Sequence, residues 1–290
     1  MLNMISHLEI NTPPHLPKNG MIQITDSLVE LAKSQGVHFH FNEKVEKIIV
    51  ENKEVKGIKT SEQTFEFDYV VSNMDVSFTY QRLLNDQYQP TKILNQEKSS
   101  SVILFHWGIN KSFDQLNVHN MIFSDDDPGE FTDVFDNKKV SNDPSFYIYI
   151  SSKIVPGDAP KGCENWFVLV NAPIENGQDW DKEVADKRSY LIAKISKLLG
   201  EDIAPLIAAE EKVDPRDIES RYSGKQGSIY GNASNNRFAA FYRHPNYSKR
   251  IKGLYFAGVT VHPGGGIPLA LNGAKIVGRL IKEDYQQAVP

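Results

Sequence analysis

The stretch GLYFAGVTVHPGGGIPLALNGAKIVGRLI, residues 253–281, joins an apolar segment, three consecutive glycines and a long segment of helical periodicity. The apolar start is typical of a buried strand, and Pro268 suits the first turn of a helix because that position needs no N–H donor. The turn from Pro263 to Gly266 carries little side-chain bulk. A turn needs one glycine at most, so three in a row favour a close approach of the backbone to a ligand. A plain strand–turn–helix unit is the alternative.

Three well-known glycine motifs do not fit this stretch or its neighbourhood. A dinucleotide fingerprint would need glycine where Leu269 stands, and a P-loop would need its lysine in the loop, whereas Lys275 lies well inside the following helix. The nucleophile elbow Gly-x-Ser-x-Gly fails because Gln226 takes the place of its first glycine. A helix start still offers free N–H groups and the positive end of a dipole, which suit a pyrophosphate or a negatively polarised heterocycle oxygen.

Composition narrows the class of protein. The 290 residues carry a formal charge of -5, and no Lys/Arg block is present, so binding to nucleic acid is not expected. The single cysteine, Cys163, excludes an internal disulfide and a cysteine-rich metal site and favours a reducing compartment such as the cytoplasm. No segment approaches the roughly 20 apolar residues of a membrane span, although a peripheral membrane contact stays open.

The region before residue 76 has the pattern of an α/β unit. A helical repeat of apolar residues predicts a helix ending at Gly36, carried by Met21, Ile24, Leu28 and Leu31. The alternating run VHFHF, residues 37–41, predicts a half-buried strand, and three more short strands lead to Asn73 and Asp75. The two histidines of VHFHF lack a third ligand nearby, so we predict a polar strand face and no metal site.

The middle of the chain differs from this region in its residue composition. Three runs rich in aromatic and β-branched residues predict strands of one sheet: SSSVILFHWGI, SFYIYISSK and WFVLVNAP. A long helix is expected after Asp179 and ends at Gly200, and Asp214 with Pro215 predicts the start of another. The acidic run SDDDPGE lacks the spacing of a calcium loop and is predicted to be a solvated loop.

These motifs together resemble the phytoene desaturase family of FAD-dependent carotenoid desaturases and isomerases. In that family LYFAG, HPGGGIP and AKIV follow one another in this order, as they do between residues 254 and 277. Residues 17–60, DYVVSNMDVSFTYQRLL, GCENWFVLVNAP and SNNRFAAFYRHPNYS are similar to the same family. The resemblance therefore covers most of the chain.

The resemblance implies an α/β (α+β) fold of the FAD-dependent amine-oxidase type, in which a discontinuous FAD-binding domain adjoins a sheet-based substrate domain. The FAD-binding parts are expected at residues 17–75 and 245–290, and the substrate domain at 76–244. The family begins with a Rossmann Gly-rich motif that binds the ADP half of FAD, and these 290 residues contain none. We therefore expect the C-terminal portion of a longer desaturase, whose complete site needs an N-terminal half.

Carried over position by position, the resemblance implies FAD as cofactor and no metal. The positions expected to contact FAD are Val45, Asn73, Gly258, Val259, Gly265, Gly266, Ile267 and Pro268. Val45 matches a backbone contact to the adenine, Gly258 and Val259 match the approach to the ribityl phosphate, and Asn73 lies where the chain leaves the cofactor domain. The turn at 265–268 matches the flavin pyrimidine, where a helix start stabilises negative charge on the reduced ring. Simple packing is the alternative for each.

The implied substrate is a lipophilic acyclic carotenoid, which offers no polar handle and so needs a tunnel of apolar and aromatic side chains. The candidates for its lining are Phe105, Trp107, Tyr147, Tyr149, Phe167, Phe238 and Phe241, with ordinary core packing as the alternative. Arg243 and His244 follow in the same segment and could reach the chamber. His244 is the candidate for acid–base catalysis because histidine exchanges protons near neutral pH. A carotenoid substrate also implies peripheral association with the inner face of the membrane.

The implied reaction removes hydrogen from adjacent carbons, with a hydride passing to the flavin and a proton leaving the neighbouring carbon. Two alternatives stay open at this point. One is a carotenoid isomerase that uses reduced flavin without net oxidation. The other is a non-catalytic fragment unable to hold FAD.

Overall fold

The computed structural model describes residues 15–85, 88–233 and 242–288. Its first part contains the following elements: α1 Ile22–Ser34, β1 Val45–Glu51, β2 Glu54–Thr60, β3 Thr64–Glu66, β4 Val70–Ser72, α2 Val76–Phe78 and α3 Thr91–Leu94. The middle part contains β5 Ser101–Ile109, β6 His119–Ile122, α4 Asp127–Phe135, β7 Phe146–Tyr149, β8 Glu164–Ala172, α5 Trp180–Leu199, β9 Ile207–Val213 and α6 Pro215–Tyr222. The chain closes with β10 Leu254–Phe256 and α7 Ile267–Ala288.

The two ends of the described chain meet in one small parallel pair of strands. β10 pairs with β4, so that Phe256 lies opposite Ser72. A separate antiparallel sheet of β1, β2 and β3 lies nearby, with an isolated bridge from Glu54 to Lys252. One apolar core joins these elements and includes Ile48, Val55, Val76, Tyr80, Leu83, Leu94, Ile251, Leu254 and Phe256. This core also takes in residues 76–94, and the division of the chain into FAD-binding and substrate domains stays a prediction.

The predicted helix before Gly36 is present as α1, but its apolar stripe is not buried. None of its residues is buried, and Leu31 is 58% exposed. The predicted strand VHFHF is wrong, because residues 37–41 form no strand and Phe41 is 75% exposed. A segment with an alternating pattern forms a strand only when a neighbouring strand accepts and donates its backbone hydrogen bonds. Residues 37–41 have no such pairing in the described structure.

The aromatic runs of the middle region form one antiparallel sheet in the order β6-β7-β8-β5-β9. Successive side chains of a strand point to opposite faces, so each strand contributes to two environments. One face forms the main core with α5, in which Leu191 and Ile195 are fully buried. The other face carries Leu104, His106 and Phe167 and faces the first part of the chain.

Helix boundaries in this region follow the capping signals. Asp179 accepts a hydrogen bond from the Lys182 N–H at the start of α5, and Gly200, at φ +70°, ends that helix in the left-handed conformation. Asp214 forms a capping box with Asp217 at the start of α6. The acidic run 124–130 is not the plain solvated loop that was expected, because Asp126 caps α4 and the helix begins within the run.

Phe105 and Trp107 do not lie where a substrate tunnel would need them. They share the α5 face of β5 with Ile103 and Ile109, and their exposed fractions are 0% and 1%. The indole N–H of Trp107 donates to Glu210 at 2.6 Å. The predicted substrate contacts of Phe105 and Trp107 are therefore corrected: both are core residues. Successive side chains of a strand point to opposite faces of the sheet, so these two point away from the face that carries Leu104 and His106.

None of the helices within the described ranges combines the length and the apolar content that crossing a bilayer requires.

Candidate functional site

A cavity of about 460 Å³ lies where the open face of the five-stranded sheet meets the ends of β4 and β10. Its apolar lining consists of Val102, Leu104, Phe167, Val213, Ile218, Ile229 and Val259. Its polar lining consists of Asn73, Asp75, His106, Tyr222, Ser223, Ser228 and Thr260. The cavity thus brings one predicted substrate residue, Phe167, to two predicted FAD positions, Asn73 and Val259.

Hydrogen bonds hold the end of β4 against the loop after β10. The side-chain N–H of Asn73 donates to the carbonyl of Ala257 at 3.0 Å, and the Val76 N–H donates to the Thr260 hydroxyl at 3.1 Å. Gly258 has φ +121°, and a Cβ at this position would lie 2.8 Å from Asn73 Nδ2. The glycine at position 258 is therefore explained by the close approach of Asn73, without a ligand.

The three consecutive glycines differ in what a side chain at each would meet. A Cβ at Gly264 would lie 3.2 Å from Arg243 Nε, and one at Gly265 would lie 2.1 Å from the ring of Tyr230. Gly266 has φ +99°, and a Cβ there would have no neighbour within 4 Å among the described residues. Protein packing accounts for the first two glycines. Of the three, Gly266 alone faces space that no described residue fills while keeping a backbone conformation that favours glycine.

Helix α7 begins directly at this open position. The Ala270 N–H donates to the Gly266 carbonyl at 2.9 Å, and Pro268 lies in the first turn as predicted. The first N–H groups of a helix have no acceptor within it and carry the positive end of the dipole. The apolar side chains around the turn are exposed: Val259 by 38% and Ile267 by 50%.

Arg243 lies next to the first glycine of this turn, Gly264. Its guanidinium donates to the Tyr230 carbonyl at 3.0 Å and to the Val259 carbonyl at 3.3 Å. Burial lowers the pKa of Arg243, but arginine keeps its charge in proteins. A permanent positive charge beside Gly264, a helix start after Gly266 and the exposed side chains of Val259 and Ile267 therefore lie at or near this turn. These features fit the edge of an isoalloxazine ring, which is flat, largely apolar and negatively charged when reduced.

The remaining predicted FAD and substrate residues are not all gathered at this point. Val45 begins β1, half-buried opposite Thr60 in the three-stranded sheet, and its contact with the adenine stays a prediction. Tyr147 and Tyr149 lie on the open face of the five-stranded sheet next to His119 and do not line the cavity. Phe238 and Phe241 lie outside the described residues.

His244 is part of the core and does not line the cavity. Its side chain is 3% exposed, its Nδ1–H donates to the Pro245 carbonyl at 2.7 Å, and its Nε2 accepts from the Tyr80 hydroxyl at 3.2 Å. The imidazole also packs edge-to-face on Phe256. Burial lowers the pKa of His244 to about 4. The acid–base candidate is therefore corrected to a neutral structural histidine.

We expect His244 to make folding stability depend on pH. Its folded-state pKa lies below its ordinary value of 6.5, so the unfolded chain binds a proton that the folded chain excludes. Stability is complete above about pH 6.5 and falls by about 3 kcal/mol as the pH drops towards 4. The measurement is chemical unfolding of the protein and of His244→Gln at several pH values. A stability difference between the two proteins that does not change over this range would contradict the assignment.

Sequence reasoning missed most of the cavity's lining. The alternation of side chains between the two faces of β5 was a usable signal. Val102, Leu104 and His106 alternate with the aromatic residues that the sequence analysis favoured. Ser228, Ile229 and Ile218 carry no local signal, since only the tertiary fold brings them to the sheet. No group of three or more His, Cys, Asp or Glu side chains within the described part of the chain could hold a metal ion.

Comparison with known proteins places these features in a family context. Residues 13–281 match the family model of flavin-containing amine oxidoreductases. The chain is 47% identical over 281 residues to a 1-hydroxycarotenoid 3,4-desaturase of Flavobacterium sp., covering 97% of this chain and 58% of that protein. It is 32% identical to a 4,4'-diapophytoene desaturase of Staphylococcus haemolyticus, covering 98% of this chain and 59% of that protein. The chain thus spans less than two thirds of either relative.

Solved structures of similar fold agree with this family. An oxidoreductase from Methanosarcina mazei matches with a TM-score of 0.62 and 14% identity, over 91% of this chain and 55% of that one. A putrescine oxidase variant matches with a TM-score of 0.60 and 13% identity, over 92% of this chain and 53% of that one. At these identities the similarity concerns the fold, which is the α/β amine-oxidase type expected from the sequence.

Proposed function

Because this chain belongs to the flavin-containing amine oxidoreductase family and is similar to its carotenoid desaturases, we propose that it acts in the FAD-dependent desaturation of an acyclic carotenoid. The observation that carries the proposal is the cavity whose mainly apolar walls reach Asn73 and Val259, two of the positions expected to contact FAD. A hydrocarbon chain gains its binding energy from such apolar walls, at roughly 25 cal/mol per Å² of buried surface. The cavity therefore suits a polyene placed next to a flavin.

FAD is the cofactor of this proposal, and it supplies a hydride acceptor when bound. Gly266 would allow the ring edge to approach the backbone, and the start of α7 would place N–H groups towards developing negative charge. Asn73 fixes the loop that carries Val259, and Arg243 holds the same loop through the Val259 carbonyl. Gly265, Ile267 and Pro268 complete the turn.

The side chains that line the cavity would position the substrate. Phe167 and Leu104 would pack against the polyene and exclude water from it, which keeps the reacting carbons in one orientation. The relatives reported above are desaturases by name, which favours desaturation over isomerisation. Lipophilic substrates dissolve in membranes, so we also propose peripheral association with a membrane surface. Co-sedimentation with liposomes of the inner-membrane lipid composition tests this point.

Product analysis tests the proposed reaction. In this and the other activity tests, the FAD-loaded protein is the chain joined to the N-terminal half that its complete site is expected to need. It is incubated with an acyclic carotenoid, and the products are separated and identified by mass and absorption spectrum. Desaturation lowers the mass by two hydrogens per new double bond and moves the absorption to longer wavelength. A product of unchanged mass would show an isomerase, and unchanged carotenoid would contradict both functions.

A further inference from the structure

A second cleft, the basic cleft, lies at the start of β10, whereas the carotenoid cavity adjoins the end of that strand. Its volume is about 430 Å³, and it lies between the loop before β10, the turn after β1 and one face of α7. Within the described part of the chain, four cationic side chains and one acidic side chain line it: Lys53, Lys249, Arg250, Lys252 and Asp284. The cleft is therefore positively charged, although the whole chain has a formal charge of -5. A local field of this sign attracts an anionic ligand.

Three of the four cations have no acidic partner. Lys53, Lys249 and Arg250 are exposed, and none of them forms an ion pair with a residue that the structure describes. Lys252 differs, because its Nζ lies 3.2 Å from a carboxylate oxygen of Glu54. Like charges gathered around one cleft repel each other, so a bound anion would relieve this repulsion.

Hydrogen bonds hold the loop before β10 in a fixed conformation. The Ser248 hydroxyl accepts from the Arg250 N–H at 3.3 Å and from the Ile251 N–H at 3.1 Å. The Lys252 N–H donates to the Lys53 carbonyl at 2.9 Å, which joins the loop to the turn after β1. Ile251 is 1% exposed and anchors the loop in the core around β10. The backbone positions of the cations are thus fixed before a ligand binds, which lowers the entropic cost of binding.

The basic cleft is separate from the positions expected to contact FAD. Val45 begins β1 and Gly258 follows β10, whereas the cleft is lined by the turn after β1 and the loop before β10. A parallel bridge between Glu54 and Lys252 places that turn beside that loop. The expected FAD positions and the basic cleft therefore lie at opposite ends of the same strands, and FAD does not account for the cations.

We propose that the basic cleft is a binding site for a phosphate-bearing anion. The Arg250 guanidinium can donate to two phosphate oxygens at once, and Lys53 and Lys249 add charge from the turn and the loop. A terminal phosphate carries about −1.5 to −2 charges at pH 7, which matches three unpaired cations better than a single carboxylate does. Tyr247 lines the same cleft and is 41% exposed, so its ring offers surface to the rest of the ligand. The site does not depend on the proposed reaction.

Inorganic pyrophosphate tests the site on the FAD-loaded protein, in which the phosphate site of the cofactor is already filled. Calorimetric titration at low salt should show binding of one pyrophosphate per chain, and rising salt should weaken it because exposed charges are screened. Arg250→Gln and Lys249→Gln should each raise the Kd by roughly tenfold or more, the effect of losing one charge-assisted hydrogen bond. Flavin content should be the same in both variants as in their parent.

Lys161→Gln provides the matched control. Lys161 is exposed, forms no ion pair with a described residue and does not line the basic cleft. Its replacement removes the same charge from the protein as Lys249→Gln does, so any difference in pyrophosphate affinity depends on place and not on net charge. Lys249→Gln and Lys161→Gln are surface substitutions, and both should keep the thermal midpoint of the parent.

Lipid vesicles distinguish the two sources of such a phosphate. A lipid headgroup as ligand predicts co-sedimentation with phosphatidylglycerol vesicles and not with phosphatidylcholine vesicles, and Arg250→Gln should abolish it. A soluble ligand predicts pyrophosphate binding without co-sedimentation. Either result supports the site and identifies the class of molecule that carries the phosphate.

Three results would overturn the site. One is the absence of saturable binding to both pyrophosphate and phosphatidylglycerol vesicles. Another is equal weakening of pyrophosphate binding in Lys161→Gln and Lys249→Gln, which would show that only net charge matters. The third is loss of flavin from Arg250→Gln, which would assign the cleft to FAD. None of these results bears on desaturation, which the carotenoid products test separately.

Discussion

Gly266→Val is expected to abolish desaturation by the FAD-loaded protein while the fold persists. Gly266 has φ +99° and an open Cβ direction, so valine would adopt a strained backbone and extend its side chain into the space assigned to the flavin edge. The backbone strain amounts to about 1–3 kcal/mol, which is less than the usual stability of a domain. Loss of bound flavin removes the hydride acceptor. Thermal melting, flavin content and carotenoid product are measured on the variant and its parent.

A control substitution isolates the ligand effect from backbone strain. Gly177 also has a positive φ, +85°, with no neighbour within 4 Å of its Cβ direction, and it does not line the cavity. Gly177→Val should therefore cost similar stability and keep both flavin and activity. A Gly266→Val protein with full flavin and full activity would show that the glycine turn is only a structural connection.

Leu104→Arg is expected to reduce turnover by roughly a hundredfold with little change in flavin content. Leu104 lines the cavity from β5, packed with Val102, Val213 and Ile218. A guanidinium in this apolar wall loses hydration and takes up space needed by the polyene, so substrate binding weakens. Carotenoid turnover and flavin absorbance are measured side by side.

The exposed residue Met121 provides the control for this change. It lies on β6 in the same sheet, is 55% exposed and does not line the cavity. Met121→Arg should leave turnover unchanged. If Leu104→Arg retained normal turnover, the polyene would have to bind elsewhere, and the cavity would lose its assignment.

Local signals in the sequence predicted the elements whose determinants are local. The ends of α5 depend on Asp179 and Gly200, and the start of α7 depends on Pro268 after the glycines, so capping rules located both. The aromatic runs formed strands as expected. The strand expected at residues 37–41 failed because strand formation depends on a pairing partner, which the run's own residues do not encode.

The candidate site could be predicted only in part. The glycine turn was recognised, but its three glycines have different causes that depend on Arg243 and Tyr230, residues remote in sequence from the pattern itself. Their aromatic character made Phe105 and Trp107 candidates for the substrate tunnel, whereas the alternation of side chains along β5 places both on the core face. Ser228 belongs to no motif. It lines a cavity that exists only after the sheet, the loop and the end of β4 have come together.

Anaerobic single turnover tests the central claim most directly. The FAD-loaded protein is mixed with one equivalent of acyclic carotenoid without oxygen, and the flavin and carotenoid absorption bands are followed together. FAD-dependent desaturation predicts that flavin absorbance bleaches in step with, and in equal amount to, a carotenoid product absorbing at longer wavelength. A carotenoid change without flavin bleaching, or bleaching without a longer-wavelength product, would contradict it.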